Sequence, residues 1–542
     1  MKLKSRGLKF SPLFFFGTLI ILLILFPSAM LVIELFKPTT DSWQHIKEFL
    51  LGKYIINSLI LIFSVGSITA VVGTFFSYSL SKYDFKFSKT LNMLLYIPLA
   101  IPVYIGGYIY GGFFGNFGTL DRILLKMGFG LARIDVFSMG GAVFVFSLFL
   151  MPYVVLITKS FFHKFPASYI ETSKLLGKSN MHTFFKVVLP MSRGSILGAT
   201  VLVILEVLNE YGLVKYFGIP TFSTAIYTTW FGLGDIQSAI RLASYLMIIV
   251  FSILLIENIS RRNIRVSNSR TLTRISKKER PKGIFKVVFY IIYSIYIVFS
   301  VVIPLLQLIY WSTLANSDII KREFYPLVSN TVNVAIIVTI LVIISGLIIG
   351  NYKRLSENNL SKIYSKIVIL GYSIPASIIA VTVLLFFISI DRFLKPLYEV
   401  FELKSLFLTS SLVLLIFALT IRFMAIGFNS IESGFNKMGK KYYEASRLLG
   451  KSAFVTFFKV DLPILKPAIM SALILTFVDI LKELPLTLIL RPFNFDTLAT
   501  KVFTYASDEM IHEASIYALV IIGISIIALM GLQIIQKEKT ND

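Results

Sequence analysis

Long apolar runs, each ended by a short cluster of charge, Gly or Pro, follow one another from one end of the chain to the other. Twelve of them, at 13–36, 54–80, 91–114, 137–157, 194–214, 239–256, 284–311, 330–350, 367–390, 406–428, 467–490 and 514–535, are long enough to cross a bilayer. A helix rises 1.5 Å per residue, so about 20 apolar residues cover a hydrocarbon core of roughly 30 Å. No polar stretch is long enough for a large soluble domain. The first run exceeds a signal-peptide core and no A-x-A-like site follows it, so it is expected to stay as a helix. The pattern predicts an all-α integral membrane protein with about twelve transmembrane helices.

Composition supports this reading. Of 542 residues 56% are hydrophobic, against about 45–50% in soluble proteins, and mean hydropathy is +0.80. With no cysteine, disulfides and thiolate metal sites are excluded, and four histidines leave little for a transition-metal site. A net charge of +24 would suit nucleic acid, but its distribution argues for membrane orientation. With the basic N-terminus (Lys2, Lys4, Arg6, Lys9) placed in the cytoplasm, the segments assigned inside hold nearly all the excess positive charge. Both termini are then cytoplasmic. The segment 257–283 has nine basic residues, among them Arg261, Arg262, Arg265, Arg270 and Arg274, against two acidic ones. It reads as a solvated joint on an anionic leaflet, with no nucleic-acid partner. It separates a first membrane domain (1–256) from a second (284–542).

The two domains are copies. Residues 171–190 (ETSKLLGKSNMHTFFKVVLP) and 444–463 (EASRLLGKSAFVTFFKVDLP) share fourteen of twenty positions at an offset of 273. The same offset carries Asn57 onto Asn330 and Ile101-Pro102 onto Ile374-Pro375. Six spans lie between equivalent points, and six is even, so the halves are parallel repeats about an axis along the membrane normal, with a pathway between them.

The repeated segment falls in a loop between the fourth and fifth spans of each half. Its first part (168–176 or 442–449) has helical composition and ends at Gly177 or Gly450. A second short helix (181–188 or 454–460) runs into Pro190 or Pro463. The pairs Phe184-Phe185 and Phe457-Phe458 put apolar groups where water is expected, which suggests a docking surface or packing on the protein's own helix ends. Glu-x-x-x-x-x-Gly with Pro thirteen residues on resembles the EAA loop of ABC-importer permeases. Glu171, Gly177 and Pro190 match in one copy, and Glu444, Ala445, Gly450 and Pro463 in the other. Thr172-Ser173 and Ala445-Ser446 replace two alanines but stay small. The resemblance implies that each loop, with Phe184 and Phe457, carries a coupling helix gripped by a cytoplasmic ATPase. It implies two ATPase subunits, an extracytoplasmic binding protein and a bacterial inner-membrane location. It also implies no cofactor on this chain, ATP and Mg being held by the ATPase.

Acidic residues inside the apolar runs are few: Glu34, Glu206, Glu210, Asp479 and Glu483. Burying a charge near the bilayer centre costs about 2.5–3.5 kcal/mol on insertion scales, so these should face protein or water. Glu206 and Glu210, four apart, would share one helical face, and Asp479 and Glu483 are the same pair displaced by 273. Two such helices meeting across the axis would bring four carboxylates to one pathway, suited to a cation. Alternatively each acid pairs locally, as Asp479 could with Lys482. Pro98, Pro102 and Pro375 could kink helices around the pathway or simply serve packing. No phosphate-binding G-x-x-x-x-G-K-[ST] is present: Thr172 and Ala445 occupy the first glycine position, and Lys441 follows Gly434…Gly439-Lys440.

Further segments narrow the resemblance. EVLNEYG from Glu206, KYFG from Lys215, TWFGLGD from Thr229, DILKELP from Asp479 and RPFNFDTLAT from Arg491 are similar to fused permeases of ferric-iron importers. Related permeases import thiamine and other small solutes. The expectation is therefore an ABC-importer permease for ferric iron. A thiamine or other solute permease and an ion-coupled secondary transporter stand as alternatives, and a membrane enzyme is the weakest reading.

Overall fold

A computed structural model describes residues 12–132, 134–262, 278–281, 283–356, 358–402 and 406–541. The basic residues Lys2 to Lys9 and the linker residues Arg265, Arg270 and Arg274 lie outside the described residues. The first half consists mainly of Pro12–Leu35 (α1), Leu51–Lys82 (α2), Val103–Phe114 (α3), Met139–His163 (α4), Ala167–Leu175 (α5), Leu189–Asn209 (α6) and Ile236–Arg262 (α7). The second repeats it as Gly283–Ile297 (α8), Ser317–Ser356 (α9), Asn359–Ser373 (α10), Ala376–Val400 (α11), Leu412–Met438 (α12), Lys441–Leu448 (α13), Leu462–Leu481 (α14) and Ile511–Asn541 (α15). Among the described residues no strand forms, and a single bridge joins Tyr83 to Glu279. Helices dominate because only they satisfy every backbone polar group within one segment in lipid.

Among the described residues ten helices are long and apolar enough to span, and Ser88–Ala100 with Val103–Lys126, taken as one span bent by 92°, makes an eleventh. The 24-residue α1 adds a shorter apolar helix, Pro12–Pro27, at the place of the first expected span. The bend falls at Pro102, where the expected kink is a full break between helices. Pro102 and Pro375 stand just before α3 and α11, ending one helix and starting the next, where the missing N–H costs least.

One feature was invisible in the sequence: the halves exchange their opening helices. The α1 helix packs on the second half, where Thr18 Oγ1 meets the Tyr364 hydroxyl at 2.7 Å and Phe26 lies 5.1 Å from Phe386. The α8 helix packs on the first half, where Phe289 stacks on Phe85 at 3.9 Å and Tyr293 donates to Leu91 O at 2.6 Å. The two largest apolar cores therefore contain residues from both halves.

Candidate functional site

Two places collect the predicted residues: the repeated loops at one end of the molecule, and a chamber between the halves.

The two loops have the same construction. The α5 and α13 helices end at Gly177 (φ +71) and Gly450 (φ +76), left-handed turns that a side chain would strain. Ser179 and Ser452 then cap the next turn, accepting from the N–H groups of His182 and Val455, each at 3.2 Å. A buried hydroxyl pair ties the two helices of each loop together: Ser173 to Thr183 and Ser446 to Thr456, both 2.8 Å. The small residues after each glutamate thus make this internal contact. Glu171, Glu444, Ala445, Pro190 and Pro463 are exposed.

The structure divides each phenylalanine pair. Phe184 turns inward, 4.5 Å from the Tyr78 ring, and Phe457 packs with Phe435 and Leu465. The exposed apolar surface is instead Leu175, Leu176, Met181 and Phe185 in the first loop and Leu448, Leu449, Phe454 and Phe458 in the second. One ring of each pair packs on the protein's own helices, and the other, Phe185 or Phe458, is exposed. The leucine pairs, exposed by 71–88%, were missed. Their signal was present: two leucines before a helix-ending glycine lie beyond the last turn that the loop can bury.

The chamber brings Glu206, Glu210, Asp479 and Glu483 together, as expected, beside Asn209, Lys482, Arg422 and Tyr104. The shared helical face is wrong, however. The α6 helix ends at Asn209, and Glu210 takes an extended conformation (ψ 128); α14 ends at Leu481, before Glu483. The freed acids cap the short helices that follow. Glu210 accepts from the N–H of Leu213 at 3.1 Å at the start of Gly212–Tyr216. Glu483, buried, accepts from the N–H of Leu486 and Thr487 at 2.8 and 3.0 Å at the start of Pro485–Leu490. Negative charge belongs at a helix N-terminus, where backbone N–H groups lack partners. Asp479 pairs with Lys482 at 2.7 Å, the local pairing foreseen.

Residues related by the offset also stitch the halves together. Asn209 Oδ1 accepts from the Ala376 N–H at 2.7 Å, and Lys482, its counterpart, reaches Leu99 O at 3.5 Å. Arg422 reaches Ile374 O at 3.5 Å, and its charge acts on Glu483. Arg422, Asn209 and Tyr104 escaped the sequence reading, although an arginine within the run 406–428 was a legible signal.

A family model for the binding-protein-dependent transport system inner membrane component matches the chain twice, at residues 63–265 and 342–537. The chain belongs to this permease family. The two matches fall on the two halves, so the permease is fused from two family domains and is a multi-pass protein of the plasma membrane. It is 24% identical to the Fe(3+)-transport system permease protein FbpB 2 of Haemophilus influenzae, over 72% of this chain and 75% of that one. It is 23% identical to a ferric transport system permease protein of Actinobacillus pleuropneumoniae over 57% of this chain and 45% of that one. It is also 25% identical to a glucose import system permease protein of Saccharolobus solfataricus over 40% of this chain and 77% of that one. The family is one of transport subunits that work with an ATPase and a substrate-binding protein.

Proposed function

We propose that this chain forms the whole membrane pathway of an ABC importer for ferric iron. A binding protein delivers the cargo outside, and two ATPase subunits that hold ATP and Mg dock on the two loops in the cytoplasm. The observation that carries this reading is the pair of loops, alike in turn, cap and internal hydroxyl contact, which present the same exposed leucines. A surface built twice suits a partner present twice. The chain has no phosphate-binding loop of its own, so nucleotide chemistry falls to those partners. When the ATPases close, α5 and α13 move with them and the two halves rock about the chamber, where Glu206, Glu210, Asp479 and Glu483 border the passage. Ferric iron is favoured by the resemblance of the segments around these acids and by the names of two relatives.

The test is ATP-dependent uptake by the reconstituted complex, with ferric iron, thiamine and glucose offered separately. Uptake of iron alone is expected. Charging both leucine pairs (Leu175→Glu with Leu176→Glu, Leu448→Glu with Leu449→Glu) should release the ATPase subunits. Co-purification and uptake untouched by all four changes would remove the docking role.

A further inference from the structure

The walls of the passage change sign along its length. The chamber adjoins a larger vestibule of about 550 Å³ that shares Leu99, Tyr153, Asp479 and Lys482 with it and continues past Lys159, His163 and Lys164. Asp479 is the single carboxylate on the vestibule's described wall, and Lys482 already holds it. Lys159 is half-buried and, among the described residues, has no carboxylate partner. Its ammonium donates to Asn92 Oδ1 at 2.5 Å and to the Tyr96 hydroxyl at 3.3 Å, both neutral, and an ammonium has three donors. Basic residues near a membrane boundary are ordinary. The position related to Lys159 in the second half, however, is Glu432, which is ion-paired with Lys353. The uncompensated cation thus belongs to the vestibule wall and not to the repeat.

The chamber, though acid-lined, holds donors as well. Of its four acids, Glu210 and Glu483 are committed to helix caps and Asp479 to Lys482, and Glu206 also lies on the wall. Tyr104, 2% exposed and on the chamber wall, has a hydroxyl with no hydrogen-bond partner among the described residues. Phenol, ammonium and guanidinium groups all donate, and charge-assisted donors bind oxyanions best. A bare trivalent cation would instead meet the unneutralised Lys159 where the dielectric is low.

We propose that the cargo passes with oxyanion ligands still attached, as a carboxylate- or phosphate-bearing species, received by Tyr104 in the chamber and Lys159 in the vestibule. Under the ferric reading, on which this rests, that species is a ferric complex of such an anion.

The complex with its ATPases and binding protein, in proteoliposomes, tests it. Radiolabelled iron is supplied with labelled citrate, with labelled phosphate, and on binding protein stripped of both. One anion label is expected to enter with the iron in comparable amount, and which label enters identifies the source. Lys159→Gln should lower this uptake about tenfold, the worth of one charge-assisted hydrogen bond, while Lys159→Arg retains it. Both variants are checked for intact assembly with the ATPases. Iron entering without either anion, equally well in Lys159→Gln, overturns the inference and leaves the ferric reading standing. An anion entering without iron does the reverse, and accumulation of cationic thiamine instead removes both.

Discussion

The two loops are alike, but what holds them is not. The second rests on a buried ion pair: both terminal guanidinium nitrogens of Arg354 meet Asp461, at 3.1 and 2.5 Å, with side chains only 4% and 1% exposed. The related positions in the first half are Ser81 and Val188, and Val188 lies in an apolar cluster with Phe162 and Phe165. There the linker supplies the support. Glu279 exchanges backbone hydrogen bonds with Lys82 and Asp84, Lys278 donates to Leu80 O at 2.9 Å, and Lys174 of α5 bridges to Glu279 at 2.6 Å. Turn, cap and exposed leucines stay the same while the foundations differ in kind. Under the proposed function the shared features are the ones a partner reads, and the foundations only need to be firm.

The largest effect should come from the ion pair. Asp461→Leu leaves a buried guanidinium without its carboxylate, which costs about 3–5 kcal/mol. Thermal unfolding of the purified chain should fall accordingly, and adding Arg354→Met should recover most of the loss. A single variant as stable as the parent would show that the second loop does not depend on this pair. Next in size are the turns. A Cβ at Gly177 or Gly450 would touch nothing within 4 Å, so Ala costs only backbone strain, about 1–2 kcal/mol. The two substitutions should slow coupled ATP hydrolysis equally. Unequal effects would mean that the foundations, not the turns, set each loop's geometry.

Much of this was legible in the residues. The offset of 273 places α12 and α14 on α4 and α6, and it places the loops' glycines, serines and leucines on one another. The acid pairs were legible as a cluster but not as a shape. Apolar periodicity runs through Asn209 and Glu210 without a break, so a continuous helix is the natural reading. Gly212 and Pro485, two residues after each acid, were the available marks of a new helix start. The exchange of α1 and α8 left no mark, because lipid-facing and protein-facing apolar surfaces are built from the same residues. For the same reason the inward turn of Phe184 and Phe457 could not be told from the outward turn of Phe185 and Phe458.

The smallest expected effect is the most selective. Lys174 and Glu279 are each about 40% exposed, and such a pair contributes about 0.2–1 kcal/mol. Glu279→Gln removes the charge but keeps the backbone contacts of Glu279 with Lys82 and Asp84, so global unfolding should barely change. What changes is the tie between the linker and α5. Amide exchange along α5 should quicken, and moderate salt should do the same to the parent by screening. The α13 helix should be unaffected, since Arg447, the counterpart of Lys174, donates to Lys451 O at 2.7 Å within its own loop. If Glu279→Gln quickened both helices equally, the linker would be acting on the whole bundle, and the contrast between the two foundations would fail.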